Sequence, residues 1–253
     1  VAPIAMPEPP WEAKVFEKTG PVPASVPKLT RVSRTNVGGF WVQRRGQYSP
    51  DRPFVIPPAE KGKVPPGARP DIPSQYGMTD LRVIIPSGER LILIYGGRYV
   101  VVTKGAATEA IFDLETYRHP PKVNPQWKQF AVGDVTYALV EDGVLYVANG
   151  GGSYAKEMHG KKGFVSAISL DDKKLLWRSA PLVHGSGPFV LRGDVLCTGY
   201  GFTDEPDHVF LLRRADGSIA QKLSVESAPD VISMEGDRVR VVAYQHTYEF
   251  ELK

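Results

Sequence analysis

The chain has 253 residues, 42% of them hydrophobic and 23% charged, with a net charge of +3. That is enough apolar material for one sizeable core, and too little charge of one sign for a nucleic-acid-binding face. The single cysteine, Cys197, excludes an internal disulfide framework and a cysteine-based zinc site, and no stretch reaches the roughly 20 apolar residues that span a bilayer.

The opening Val1-Ala2-Pro3-Ile4-Ala5 has no basic segment followed by an apolar one, so no intact signal peptide is read there, and the missing Met points to a processed start. Residues 1–79 read as a Pro-rich extended arm. By count, 15 of the 23 prolines fall within the first 80 residues, which excludes long helices and central strands there. Pro9-Pro10, Pro57-Pro58 and Pro65-Pro66 mark extended or polyproline II segments. Apolar anchors interrupt the polar background: Trp11, Phe40-Trp41-Val42 after Gly38-Gly39, and Phe54-Val55-Ile56. Such an arm either lies along its own domain or reaches a neighbouring protein, and Trp11, Phe40 and Trp41 are its candidate partner-binding residues.

Residues 80–253 read as all-β. Apolar runs rich in Val, Ile, Leu, Tyr and Phe alternate with Gly/Asp turns, and no amphipathic helix of 12 residues is predicted. One unit recurs: strand, Gly-containing turn, strand, loop, strand. Its copies begin at Leu91–Tyr95, Tyr137–Val140, Phe189–Leu191 and Val231–Met234. The turn glycines Gly97, Gly143, Gly193 and Gly236 are 46, 50 and 43 residues apart, close to one four-stranded propeller blade. Lys174–Trp177 and Ile219–Leu223 supply fourth strands, whereas the last copy stops after three. An unclosed last blade leaves an open edge, so a strand of the arm is expected to fill it, with Gly39–Arg44 as candidate. Leu81–Ile85 is assigned to a fifth, irregular blade within residues 30–90. The expected fold is a small or partial β-propeller of about four to five blades; a β-sandwich of short, regularly spaced strands is the competing architecture.

Ala167-Ile168-Ser169-Leu170-Asp171-Asp172-Lys173-Lys174-Leu175-Leu176-Trp177 resembles the PQQ-like propeller repeat, Ala-x-Asp-x-x-Thr-Gly-x-x-x-Trp. Ala167 and Trp177 match, while Ser169, Asp172 and Lys173 stand where Asp, Thr and Gly are expected. The third copy keeps Asp216-Gly217 but has Gln221 in place of Trp, and Ser227-Ala228-Pro229 resembles the family's link between blades. The resemblance covers roughly residues 85–252. It implies a propeller with Trp177 packed between blades, and a periplasmic or extracellular setting; the lone cysteine is equally compatible with a cytoplasmic one. The family includes quinoprotein dehydrogenases of about eight blades and non-catalytic assembly scaffolds. A chain this short resembles the scaffold branch.

Candidate chemistry is sparse. The longest inserted loop, Asn149–Gly163, is Gly-rich, but no helix follows and no Gly-Lys-Thr/Ser ending is present, so it reads as a hairpin loop whose Tyr154 and His159 can meet a partner. His184, on the connection into the third copy, is a further partner-binding candidate. Thr203-Asp204-Glu205-Pro206-Asp207-His208 has carboxylates for a hard cation but matches no EF-hand spacing. His184-Gly185-Ser186-Gly187 lacks the G-x-S-x-G elbow of a serine nucleophile, and Cys197 reads as a buried apolar residue. No catalytic residue, metal ligand or cofactor is assigned. The expected function is a non-catalytic binding or scaffolding subunit that contacts other protein subunits through its loops and arm, without nucleic acid, and near a membrane only through a partner. The alternative is an enzymatic or small-molecule-binding propeller, quinoprotein-like or glycan-acting, with its site in the central channel.

Overall fold

In the computed structural model, residues 1–12, 27–37, 47–123, 130–151 and 154–253 are described. Four strands come from the Pro-rich part: β1 (Ile4–Ala5), β2 (Leu29–Asn36), β3 (Phe54–Val55) and β4 (Gln75–Tyr76). The first repeat holds β5 (Thr79–Ser87), β6 (Arg90–Tyr95), β7 (Tyr99–Lys104) and β8 (Ala107–Asp113). The second holds β9 (Gly133–Glu141), β10 (Val144–Gly151), β11 (Phe164–Ser169) and β12 (Leu175–Arg178). The third holds β13 (Val190–Arg192), β14 (Val195–Phe202), β15 (Glu205–Arg213) and β16 (Ile219–Ser224), and the fourth β17 (Pro229–Glu235), β18 (Arg238–Ala243) and β19 (His246–Leu252). Helical structure among the described residues amounts to two 3-10 turns, Pro58–Glu60 and Glu115–Tyr117.

Each repeat is an antiparallel meander. The runs Leu91–Tyr95 and Val100–Thr103 do not alternate, because their sheet is covered on both faces. One face joins a core shared by the first three sheets, including Ile92, Val100, Phe112, Val147, Ile168 and Leu196. The other face, with Leu93, Tyr95 and Val101, is covered by Phe54, Ile56 and Ile72 of the Pro-rich segment. A second core joins the third and fourth sheets through Val195, Leu211, Ile232, Val241 and Phe250. The first strands of all four sheets approach one cleft, lined by Ser87, Val140, Leu191 and Met234. Ser87 locks two of them together: its hydroxyl donates to Val140 O at 2.9 Å and accepts from Val140 N at 2.8 Å. Four meanders set side by side about a common cleft make a small β-propeller with an extended arm, not a two-sheet sandwich.

Three expectations are corrected. Leu81–Ile85 belongs to β5, the first strand of the first blade, so no separate fifth blade contains it. The turn that matches Gly143, Gly193 and Gly236 is therefore Gly88, between β5 and β6, while Gly97 sits one hairpin later, between β6 and β7. The arm does close the last blade, but with β2: Leu29 pairs with Leu252, Ser33 with Glu249 and Asn36 with His246. The segment Gly39–Arg44 lies outside the described residues, as do Phe40 and Trp41. Near the chain start, β1 adds to the outer edge of the first blade in parallel with β8.

Trp177 joins the second blade to the third. Its indole Nε1 donates to Arg214 O at 2.7 Å, and its ring lies against Tyr146 and Gly217.

Candidate interface at the channel rim

One rim of the propeller is built from the N-terminal ends of the first strands and from the loops between second and third strands. On β9, Asp134 accepts from Arg82 Nη1 at 2.6 Å and from Arg118 Nη2 at 2.8 Å. This pairing bridges the first and second blades. Gly97 makes room for it: a Cβ there would come within 2.5 Å of Asp134 Cγ, and its φ of +67° suits glycine. Beside Asp134 opens a cleft of about 320 Å³, lined among others by Thr136, Lys162, Ser186, Tyr200 and Phe202.

Lys162 is the unusual group in this cleft. Its side chain is buried, with Nζ 3.7 Å from Glu205 Oε2, 4.2 Å from the centroid of the Phe202 ring and 5.5 Å from that of Tyr200. Burial lowers its pKa, and the facing Glu205 carboxylate opposes that shift. Glu205 also accepts from Ala155 N at 2.5 Å and from the Tyr200 hydroxyl, so it ties the long loop to the third blade. Within that loop Met158 is buried, while Tyr154 packs edge-on against Phe202 at 5.0 Å and stays exposed. His159 is exposed, on a residue with φ of +51°.

Two partner-binding candidates prove to be internal. His184 is buried between the second and third blades, with Nε2 3.1 Å from Thr136 Oγ1 and Nδ1 3.0 Å from Thr198 Oγ1, so it offers no surface. Trp11 is buried against the chain's own second blade, edge-on to Phe164 at 5.8 Å. Cys197 is buried and its thiol is pushed up to about 12. In the acidic turn, Glu205 points inward to Lys162 and Asp204 outward; the Asp207 carboxyl is pushed up to about 6 by burial, with Oδ1 unpartnered among the described residues. Among the described residues no three His, Cys, Asp or Glu side chains gather as metal ligands would. Lys162, Tyr200 and Phe202 were not singled out by the sequence. The one hint was Gly160-Lys161-Lys162-Gly163, a lysine between turn residues with no apolar pattern to announce its burial.

No protein-family profile and no curated protein matches the sequence. Solved structures resemble it at low identity. The computationally designed Ika8 protein aligns with a TM-score of 0.46 and 10% identity over 67% of this chain, which spans 45% of that protein's length. The WD40 β-propeller domain of Doa1 aligns at 0.42 and 10% over 64% of this chain and 47% of that one. BamB from Moraxella catarrhalis aligns at 0.36 and 12% over 88% of this chain and 100% of that one. The propeller assignment itself stands on the sheet topology.

Proposed function

We propose that this chain is a non-catalytic binding module of a larger protein assembly, with the rim around Tyr154 as its docking face. One observation carries the reading: Met78, Phe130 and Tyr154 are exposed by 100%, 56% and 39%, and all three come from loops at the same rim. Met78 precedes β5, Phe130 precedes β9, and Tyr154 follows β10. Apolar and aromatic side chains gathered at loop tips on a rigid frame are what protein interfaces use. The partner is read as protein rather than nucleic acid. The likeness of Ala167–Trp177 to the PQQ-like repeat supports a periplasmic or extracellular setting, with any membrane contact made through the partner.

The test is photo-crosslinking in native extract from Tyr154 and Met78, with Arg240 on an exposed face of the fourth blade as control. The reading expects one protein to crosslink from the two rim positions alone, and its binding to the purified chain to be lost in Met78→Asp with the melting temperature unchanged. Equal crosslinking from Arg240, or undiminished binding by Met78→Asp, refutes it.

A further inference from the structure

Between the arm and the second blade lies a group of buried hydrogen-bond donors that no acceptor among the described residues satisfies. Arg178, the last residue of β12, is 8% exposed. Its guanidinium carbon lies 4.1 Å from the Phe164 ring centroid, 4.8 Å from that of Trp11 and 4.9 Å from that of Tyr117. Nε, Nη1 and Nη2 all lack a hydrogen-bond partner among the described residues, and so do the indole N–H of Trp11 and the hydroxyl of Tyr117. Ser166, directly across the ladder from Arg178, is also buried, with its hydroxyl unpartnered among the described residues.

Buried polar groups are nearly always paired, and a buried cation without an anion is among the costliest exceptions. Three aromatic faces offset part of that cost. They act on the cation through ring faces and leave its N–H groups unsatisfied. Burial presses the Arg178 pKa down to about 9, so it remains a cation at neutral pH, and burial holds the Tyr117 phenol up to about 12, so it remains a donor. Arginine, indole and hydroxyl donors beside one another lack one component, an oxyanion, which a guanidinium edge binds in bidentate fashion.

We infer that Arg178, Trp11, Tyr117 and Ser166 form a binding site for a small oxyanion, a carboxylate or phosphate group, closed over by the N-terminal arm. The cover is a narrow strap. β1 pairs with β8, Met6 N donates to Asp113 O at 3.0 Å, and the Thr116 hydroxyl donates to Met6 O at 3.0 Å and Pro7 O at 3.2 Å. Lifting these few residues with Trp11 uncovers the guanidinium, so occupancy of the site and docking of the arm stabilise each other. The site is separate from the rim cleft and does not depend on the proposed docking face.

The probes are inorganic phosphate and acetate, each titrated into the full chain at constant ionic strength with sodium chloride as reference. Thermal unfolding and tryptophan fluorescence are read. At least one probe should raise the melting temperature with the logarithm of its concentration, beyond the chloride reference, and shift the tryptophan emission; which one does so separates a phosphate from a carboxylate ligand. Arg178→Met, which keeps volume without charge, should fold and weaken the apparent affinity by on the order of ten-fold or more. Arg178→Lys should also bind more weakly, because the ammonium lacks the fork, and it serves if the methionine variant fails to fold. A wild-type response no larger than that to chloride, or an equal response in both variants, overturns the inference.

Discussion

Replacing Gly217 with alanine in two backgrounds measures how the second and third blades are coupled through Trp177. Gly217 lies in the turn between β15 and β16 with φ of +73°, and a Cβ there would come within 2.4 Å of Trp177 Cε3. In the wild-type background Gly217→Ala meets two penalties: the left-handed backbone, about 1–2 kcal/mol, and the overpacked ring, about 1–3 kcal/mol. Trp177→Ala alone removes a buried indole and its bond to Arg214 O, for about 3–5 kcal/mol. In the Trp177→Ala background the ring is gone, so Gly217→Ala should cost only the backbone share. The two changes should therefore couple by about 1–3 kcal/mol in a double-mutant cycle. Urea unfolding followed by far-ultraviolet circular dichroism gives all four stabilities without relying on tryptophan emission. Additivity within about 0.5 kcal/mol would show that the indole does not press on Gly217 and would refute the account of the blade junction.

Three further outcomes are expected. The Asp207 carboxyl, raised by burial to about 6, binds its proton more tightly in the folded chain than in the unfolded one, where it titrates near 3.9. Stability should accordingly fall as pH rises from about 4 to 6, with the whole penalty present above 6; Asp207→Asn should flatten that part of the profile in melts across the range. Glu205→Ala removes the carboxylate facing the buried Lys162 ammonium and should destabilise by about 3–5 kcal/mol in urea titrations, against a near-neutral result if the pair were surface-like. Arg34→Pro combined with Thr35→Pro changes adjacent residues of β2, so one of them loses a ladder N–H whichever way the alternation runs. The uncovered edge of β19 should then associate with other copies, seen as concentration-dependent growth on size-exclusion chromatography.

The hairpins at Gly143, Gly193 and Gly236 were legible because apolar alternation and turn chemistry coincide there. The first repeat was misregistered for a local reason: Pro86 lies inside β5, and Gly96-Gly97 imitates the hairpin signal that Gly88 actually supplies. The closing strand was expected in kind but not in place. Of β2 only Leu29 is buried, since Thr30 to Asn36 pair through the backbone on an exposed edge, and a search for apolar patterns passes over such a segment. Trp11 looked like an external anchor because its neighbours are prolines and charges, but tertiary packing buries it on Phe164. His184 lies among turn residues in the sequence, and only the approach of β9 and β14 encloses it between two threonines. Arg178 ends an ordinary apolar strand, and nothing local distinguishes it from a solvated arginine. Its confinement arises from three rings, Phe164 on the neighbouring strand β11 and Trp11 and Tyr117 from segments distant in sequence.

The pairing of Leu29 with Leu252, together with the exchange of backbone hydrogen bonds between Lys28 and Lys253, sets an order on biosynthesis. A ribosome delivers β2 long before β19, so the early strand must wait, unpaired, until more than 200 further residues have emerged and β19 is available. The blades formed of consecutive strands can assemble as they appear, but the fourth needs its earliest and latest strands together. That wait favours a polar strand, since an apolar one would find the wrong edge first, and the Thr, Ser, Arg and Asn side chains of β2 meet that requirement.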